Sequence, residues 1–391
     1  MPTARLGIAL SQTGSYVDAV CPANHLIRKS SILRKGYTYR ALSPLSSFRN
    51  AISASHPDLI VSADDLSTQH LIDLHAQGGT ELCGLIERSL GPPESFPFMT
   101  ARASFMNIAR EEGIVVPNTT VIRDMADLQA LESTKGFPIV LKSDGSSSGE
   151  GTKVAHNFLE AQRAYQFLQR SPSLLRIVKR VLINHDLRSV RLKLRRRAIV
   201  NMQKYIRGRD ATSLIACWKG EVLGALHFEV IEKQYAFGPA SVMKLINNAE
   251  IETFAARIVK KLKLSGLHGF DFLLEEQTGL PYMIEFNPRA TQVGHLTLGA
   301  GRDLPGAIHA AVTGTARRES PRLTDNPTIA LFPQEFMRDP ESPFLQSSYH
   351  DIPRDEPELT RACLRQGQKS HTQHFIEACL RIVHPNYRLL L

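Results

Sequence analysis

Two carboxylates and an amide are spaced as though they shared one face of a hairpin. The segment LHGFDFLLEEQTGLPYMIEFNPRATQ holds two apolar runs, Gly269 to Leu274 and Pro281 to Phe286, around the turn residues Gln277-Thr278-Gly279. Apolar runs flanking such a turn predict a β-hairpin. With Thr278 at the turn centre, Phe270 faces Phe286, Phe272 faces Ile284 and Leu274 faces Tyr282, which makes one side a buried face. The other side pairs Asp271 with Glu285 and carries Asn287 two residues later, because strand side chains alternate. Opposed carboxylates about 5 Å apart repel by roughly 3 kcal/mol at an effective dielectric of about 20. A hard divalent cation with oxygen ligands offsets that repulsion. Asp271, Glu285 and Asn287 are therefore candidate metal ligands, and Arg289 just beyond them can stabilise charge on a transferring phosphoryl group. The competing reading is an ordinary hairpin with its acids in water. The matched register and the ending Glu285-Phe286-Asn287-Pro288-Arg289 weigh against it.

Upstream, FPIVLKS runs into DGSSSGEG and then TKVAH, a strand, a glycine-serine loop and a strand. Gly145, Gly149 and Gly151, with Ser146, Ser147 and Ser148 between them, allow backbone amides to converge on a phosphate. Lys142, on the first strand, places an ammonium near the same phosphates. No GK[ST] opens a helix, so this is not a Walker loop. Taken alone, GSSSGEG also reads as a flexible linker. Further on, the strand ending at Gln203-Lys204-Tyr205-Ile206 could offer backbone groups to an adenine edge, and Asp210 could accept hydrogen bonds from ribose hydroxyls. A hydrophobic strand and loop with an incidental acid fits that stretch equally well. His227, Glu229 and Lys244 lie on later strands, where each could orient a substrate or serve the structure alone.

The elements that must position these residues can be read coarsely. A chain of 391 residues is long enough for two or three domains. Residues 1–94 form a first domain whose residues 1–90 alternate helix and strand, with strands expected at Tyr16 to Cys21 and at Leu59 to Val61, as in a small parallel α/β unit. Ala4 to Leu10 reads as a helix, with Thr3 as its N-cap and a stop near Gly14. A unit of this kind usually opens with a strand, so the first strand is expected to be missing and the true start upstream. Gly91 to Pro97 marks a boundary, and a helix follows from about Thr100 to Glu112, stopped at Gly113. Residues 95–320 form the main domain. Residues 321–391 form a C-terminal extension of unreadable role, with a strand at Thr328 to Phe332 and a helix opening at Pro357.

These segments, in this order, resemble the ATP-grasp superfamily. The likeness covers about residues 1–315: an R-x₂-F helix (Arg102 to Phe105) and GIVVP, the strand-lysine-glycine loop, the Q-x-x-I-x-G-x-D hinge, and GFDFLL…IEFNPR, the most specific motif. It implies a small N-terminal parallel α/β domain followed by a two-subdomain fold of antiparallel sheets and helices that clamps ATP. Lys142 and Arg102 would be phosphate ligands, Gly145 to Gly151 the lid loop, Gln203 to Ile206 the adenine hinge and Asp210 the ribose acceptor. Asp271, Glu285 and Asn287 would hold Mg2+, with Mn2+ as an alternative, and Arg289 would clamp the phosphoryl group. Arg102 stands where lysine is more usual, and Asp210 where glutamate is commoner. The implied activity is an ADP-forming ligase that phosphorylates a small-molecule carboxylate and passes it to an amine-type nucleophile. An ATP-grasp kinase and a non-catalytic nucleotide- or nucleic-acid-binding module are the alternatives.

Bulk properties narrow the field. Hydrophobic residues at 42% and charged residues at 22% are the balance of a folded soluble chain. No apolar run approaches the roughly 18 residues of a membrane span. Five cysteines without a CxxC pair argue against a disulfide framework or zinc site, and for the cytoplasm. The net charge of +9 is partly local, with nine Lys or Arg and one acid between Arg176 and Arg197. No interleaved aromatics accompany that run, so nucleic acid is disfavoured as a partner. A homo-oligomer is compatible with all of these features.

Overall fold

The computed structural model describes residues 1–144, 151–169, 199–318 and 320–365. The chain opens with a helix, Pro2–Gln12, whose proline sits in the first turn, where its absent N–H is no loss. Met1 therefore occupies the N-cap position that the sequence suggested for Thr3. Strand β1 (Val17–Cys21) then pairs in parallel with β2 (Leu33–Thr38), and among the described residues these two strands make up the first sheet. The strand expected at Leu59 to Val61 does not form. An apolar run becomes a strand only beside a partner, and this one meets side chains and loops instead: the Ile60 N–H donates to Ser89 Oγ at 2.9 Å, and the Ser62 carbonyl accepts from the Ala290 N–H.

The expected helix near Thr100 to Glu112 is split in two, Phe96–Thr100 and Arg102–Glu111, by the extended backbone of Ala101. The second sheet comprises β3 (Thr119–Ile122), β4 (Ile139–Ser143), β5 (Thr152–Ala155) and β6 (Val200–Lys204), in the antiparallel order β3-β6-β4-β5. Ile122, Leu141, Val200 and Met202 bury one side of it against the helix Phe158–Gln169.

The third sheet carries the rest: β7 (Gly208–Trp218), β8 (Glu221–Lys233), β9 (Ala240–Leu245), β10 (Gly266–Glu275), β11 (Pro281–Asn287), β12 (Thr328–Leu331) and β13 (Tyr349–Asp351). Their order is β11-β10-β7-β8-β9-β12-β13. The strands after residue 321 thus extend the edge of this sheet. The helix at 357–365 begins at proline as expected, and its Leu359 packs with Ala4, Cys21 and Ile27 of the first unit. One face of the large sheet is covered by the helix Ala249–Leu262, which buries Ile251, Phe254, Ala255, Ile258, Val259 and Leu262. That is the stripe expected of a 3.6-residue period.

The β10–β11 hairpin pairs Phe270 with Phe286, Asp271 with Glu285 and Gly269 with Asn287, as read from the sequence. Beyond Asp271 the register departs from that reading. Phe272 faces Met283, Leu273 faces Tyr282 and Leu274 faces Pro281, so the pairs Phe272–Ile284 and Leu274–Tyr282 do not occur. A bulge at Ile284 takes up the extra residue. The buried face survives, with Phe270 and Phe272 fully buried, and the Phe286 ring stacks on Phe270 and Phe105 at centroid distances of 5.1 and 4.7 Å.

Candidate active site

A cavity of about 580 Å³ lies between the second and third sheets, closed at one end by the N-terminal unit. That volume is within the range of small-molecule sites. The second sheet contributes Val140, Lys142, Val154 and Gln203, the third Asp210, Thr212, Asp271, Leu273, Glu285 and Asn287, and the first unit Thr3 and Asp65.

The hairpin's polar face points into this cavity. Asp271 accepts from Thr212 Oγ1 at 2.8 Å and from Asn287 Nδ2 at 2.9 Å. Asn287 Oδ1 accepts from Arg289, whose Nε donates to Asp65 at 2.8 Å. Opposite, Glu285 accepts from Arg102 Nη2 at 2.7 Å. The bulge serves the same residue, because the Ile284 carbonyl it releases accepts from Arg102 Nη1 at 3.3 Å. Gly269 leaves room for this packing: a Cβ there would lie 2.4 Å from Thr291 Cγ2.

These contacts set the charges. Burial, with Glu285 opposite, raises the Asp271 carboxyl above the usual aspartate range. Burial also pushes Glu285 upward, but Arg102 and Lys142 outweigh it and hold that carboxyl low. The Lys142 ammonium is lowered to about 8 by burial and by the neighbouring Arg102. The Lys142 ammonium donates to no described residue. Arg102 Nε is likewise buried without a hydrogen-bond partner, with Asp144 Oδ1 3.8 Å away. Two buried cations with unspent donors fit an oxyanion ligand such as a phosphate.

The metal question turns on the donor set. Asp271, Glu285 and Asn287 present carboxylate and amide oxygens on one face, the chemistry suited to Mg2+. Among the described residues, no group of three or more His, Cys, Asp or Glu forms an alternative metal site. A cation there would replace the Asn287-to-Asp271 hydrogen bond and relieve the opposed carboxylates.

At the far end, Gln203 is buried and donates to Thr119 Oγ1, while Lys204, Tyr205 and Ile206 line the cavity beside Val140 and Leu273. Gly208 follows at the start of β7, paired with Glu275 of β10; a Cβ there would lie 2.2 Å from the Leu274 carbonyl oxygen, so a larger residue would force the backbone apart. Asp210 comes next and lines the same end.

Of the residues singled out in the sequence, Arg102, Lys142, Gln203 to Ile206, Asp210, Asp271, Glu285, Asn287 and Arg289 all border this one cavity. Gly145, Ser146, Ser147, Ser148 and Gly149 lie outside the described residues, as does the basic stretch 176–197. Gly151 is described, and its carbonyl accepts from the Ser143 N–H. His227, Glu229 and Lys244 do not line the cavity. His227 is buried against Ser213 Oγ, and Glu229 pairs with Arg209. Asp65, Thr212, Lys233 and Gln292 do line it but escaped the sequence reading. Only Asp65 left a trace, in the paired acids that end SADD.

A clamp of two mainly antiparallel sheets over a cavity with this polar hairpin defines an ATP-grasp protein. The chain belongs to that superfamily, within the family described as carbamoyl-phosphate synthase L chain, ATP binding domain, whose model matches residues 101–300. It is similar to D-alanine–D-alanine ligase A of Bacillus cereus, with 27% identity over 252 residues that span 60% of this chain and 75% of the relative. Its fold resembles an N5-carboxyaminoimidazole ribonucleotide synthetase solved with ADP, at TM-score 0.59, 14% identity, and coverage of 82% of this chain and 76% of that one. It also resembles the biotin carboxylase domain of the Hydrogenobacter thermophilus 2-oxoglutarate carboxylase, solved with MgADP and bicarbonate. That match has TM-score 0.54, 13% identity, and coverage of 81% and 68%.

Proposed function

We propose that this chain is an ADP-forming ligase that activates a small-molecule carboxylate with ATP and transfers the acyl group to an amine-type nucleophile. The observation that carries the reading is the convergence of Lys142, Arg102 and the Asp271–Glu285–Asn287 face on one cavity. Val140, Ile206 and Leu273 offer the adenine an apolar bed, with Gln203 to Ile206 along its edge and Asp210 at the ribose. Lys142 and Arg102 would bind the phosphates through their unspent donors. Asp271, Glu285 and Asn287 would hold Mg2+, or Mn2+ in its place, which when bound supplies Lewis-acid stabilisation of phosphate charge. Arg289, anchored by Asp65, would stabilise the phosphoryl group in flight.

The chemistry balances without a covalent enzyme intermediate. A carboxylate oxygen attacks the γ-phosphorus and ADP leaves, giving an acyl phosphate. The nucleophile's nitrogen attacks the acyl carbon, phosphate departs, and the nitrogen loses its proton. Among the described residues no helix is long and apolar enough to cross a membrane, and a cytoplasmic location is part of this reading.

The test is a screen of carboxylic and amino acids with ATP, Mg2+ and hydroxylamine in place of the nucleophile. Hydroxylamine converts an acyl phosphate to a hydroxamate and leaves a phosphate ester untouched. The expected result is hydroxamate with release of ADP and phosphate, abolished in Lys142→Ala. A stable phosphorylated product without hydroxamate would replace the ligase by a kinase.

A further inference from the structure

Strand β8 breaks its own alternation at the cavity. Val230 and Lys233 both line it although they are three residues apart, which a regular strand with a two-residue repeat forbids. The cause is a pair of register shifts against β9, between Val230 and Glu232 and between Glu232 and Lys233. Glu232 is turned toward Arg338, 3.9 Å away, and Lys233 is turned inward. Bulges that re-aim a side chain in this way gather at functional sites. The re-aimed ammonium donates to Asp210 Oδ2 at 2.6 Å. The other Asp210 oxygen has no partner among the described residues.

We propose that Lys233 is a positioning residue for the nucleotide's ribose: it fixes the Asp210 carboxylate by one oxygen so that the other accepts from the sugar hydroxyls. This rests on the nucleotide assignment above and adds a residue to it. The physical need is plain. Aspartate is one methylene shorter than glutamate, so its carboxylate reaches less far and must be held at a definite angle to meet a hydroxyl. A carboxylate covered by a nucleotide also loses water, and an ion pair through one oxygen offsets that loss while leaving an acceptor free. Lys233 and Asp210 remain partly open, with 28% and 39% of their side chains exposed, so the pair can receive a ligand without unfolding its surroundings.

The test compares ATP with 2′-deoxyATP, each with Mg2+, by calorimetry on the full chain. A hydrogen bond to a charged acceptor corresponds to about tenfold in affinity or somewhat more. The wild type should therefore bind ATP about tenfold more tightly than 2′-deoxyATP. In Lys233→Met that ratio should fall to about twofold or less, and in Lys233→Arg most of it should return. Asp210→Asn, which keeps the side chain's shape, probes the pair from the other side and should lose the same discrimination. Equal weakening of both nucleotides in Lys233→Met, with the ratio intact, would overturn the proposal, since a phosphate contact or a general loss of structure acts on both alike. A wild type that binds both nucleotides equally would overturn it too. A wild type that binds neither would overturn the nucleotide assignment itself, and this proposal with it.

Discussion

Replacing Asp271 with asparagine should stabilise the protein while disabling its site. Asp271 faces Glu285 across the hairpin, and two charges about 5 Å apart repel by roughly 3 kcal/mol at an effective dielectric of about 20. Arg102, bonded to Glu285 at 2.7 Å, and the 32% of the Glu285 side chain open to solvent both screen that figure, which leaves about 1–2 kcal/mol. Asparagine turned with its Oδ1 toward Asn287 Nδ2 and its Nδ2 toward Thr212 Oγ1, a hydroxyl that accepts as well as donates, keeps both contacts at little cost. The raised Asp271 carboxyl already sums these surroundings, and its direction says the ionised form is disfavoured in the fold. The sign follows from linkage. Below the unfolded value of about 4 the aspartate is protonated in both states, and the ionisation penalty is absent. As pH rises past that value the folded state holds the proton longer, so the metal-free wild type loses stability toward neutrality and Asp271→Asn does not. Thermal unfolding without Mg2+ should place Asp271→Asn about 1–3 °C above the wild type near pH 7 and level with it near pH 4. Saturating Mg·ATP should reverse the order, because ligand at about 100 times its Kd stabilises the competent protein by about 2.7 kcal/mol and the variant hardly at all. A metal-free variant melting clearly below the wild type near pH 7, or one stabilised by Mg·ATP as well as the wild type, would refute the reasoning.

Three further outcomes are expected. ATP should bind the wild type weakly without Mg2+, since Asp271 and Glu285 then repel the triphosphate, and Glu285→Ala should blunt the response to Mg2+; equal calorimetric affinity in all four combinations removes the metal assignment. Asp351 holds the buried Arg5 and His295 from two sides, so Asp351→Ala should cost about 3 kcal/mol or more in urea unfolding by stranding a buried cation, and a loss below about 1 kcal/mol would show that pair to be dispensable. No specific nucleic-acid complex should persist at physiological salt; a tight one there, weakening steeply as salt rises, would favour the binding-module alternative.

The hairpin was legible because its two signals are local: apolar residues at every second position, and turn residues between them. The bulge at Ile284 was not. It exists because Arg102, far off in sequence, takes the Ile284 carbonyl, and no window along one strand contains that fact. Leu59 to Val61 failed for the converse reason. Its composition suits a strand, yet a strand is a relation between segments, and Ile60 finds the Ser89 hydroxyl instead of a ladder. The site divides along the same line. Lys142, Asp271 and Glu285 lie beside glycine turns that announce them, whereas Lys233 enters through a broken alternation and Asp65 by folding of a separate unit onto the hairpin.

Those two unannounced residues complete a pattern of charge. Three cations of the cavity are each held by an acid: Arg102 by Glu285, Arg289 by Asp65 and Lys233 by Asp210. Lys142 has no such partner among the described residues, and its ammonium is lowered to about 8. The arrangement distributes two different tasks. Paired cations keep a defined direction before any ligand arrives, so a polyphosphate meets donors already aimed and little is lost in reorganising them. An unpaired, desolvated ammonium has the most to gain from an incoming anion, because the ligand removes a burial penalty that nothing else offsets. On the function proposed above, Arg102 and Arg289 are the donors aimed at phosphate, Lys233 aims Asp210 at the sugar, and the steepest response to phosphate charge falls to Lys142, the cation that stands at the head of the glycine loop.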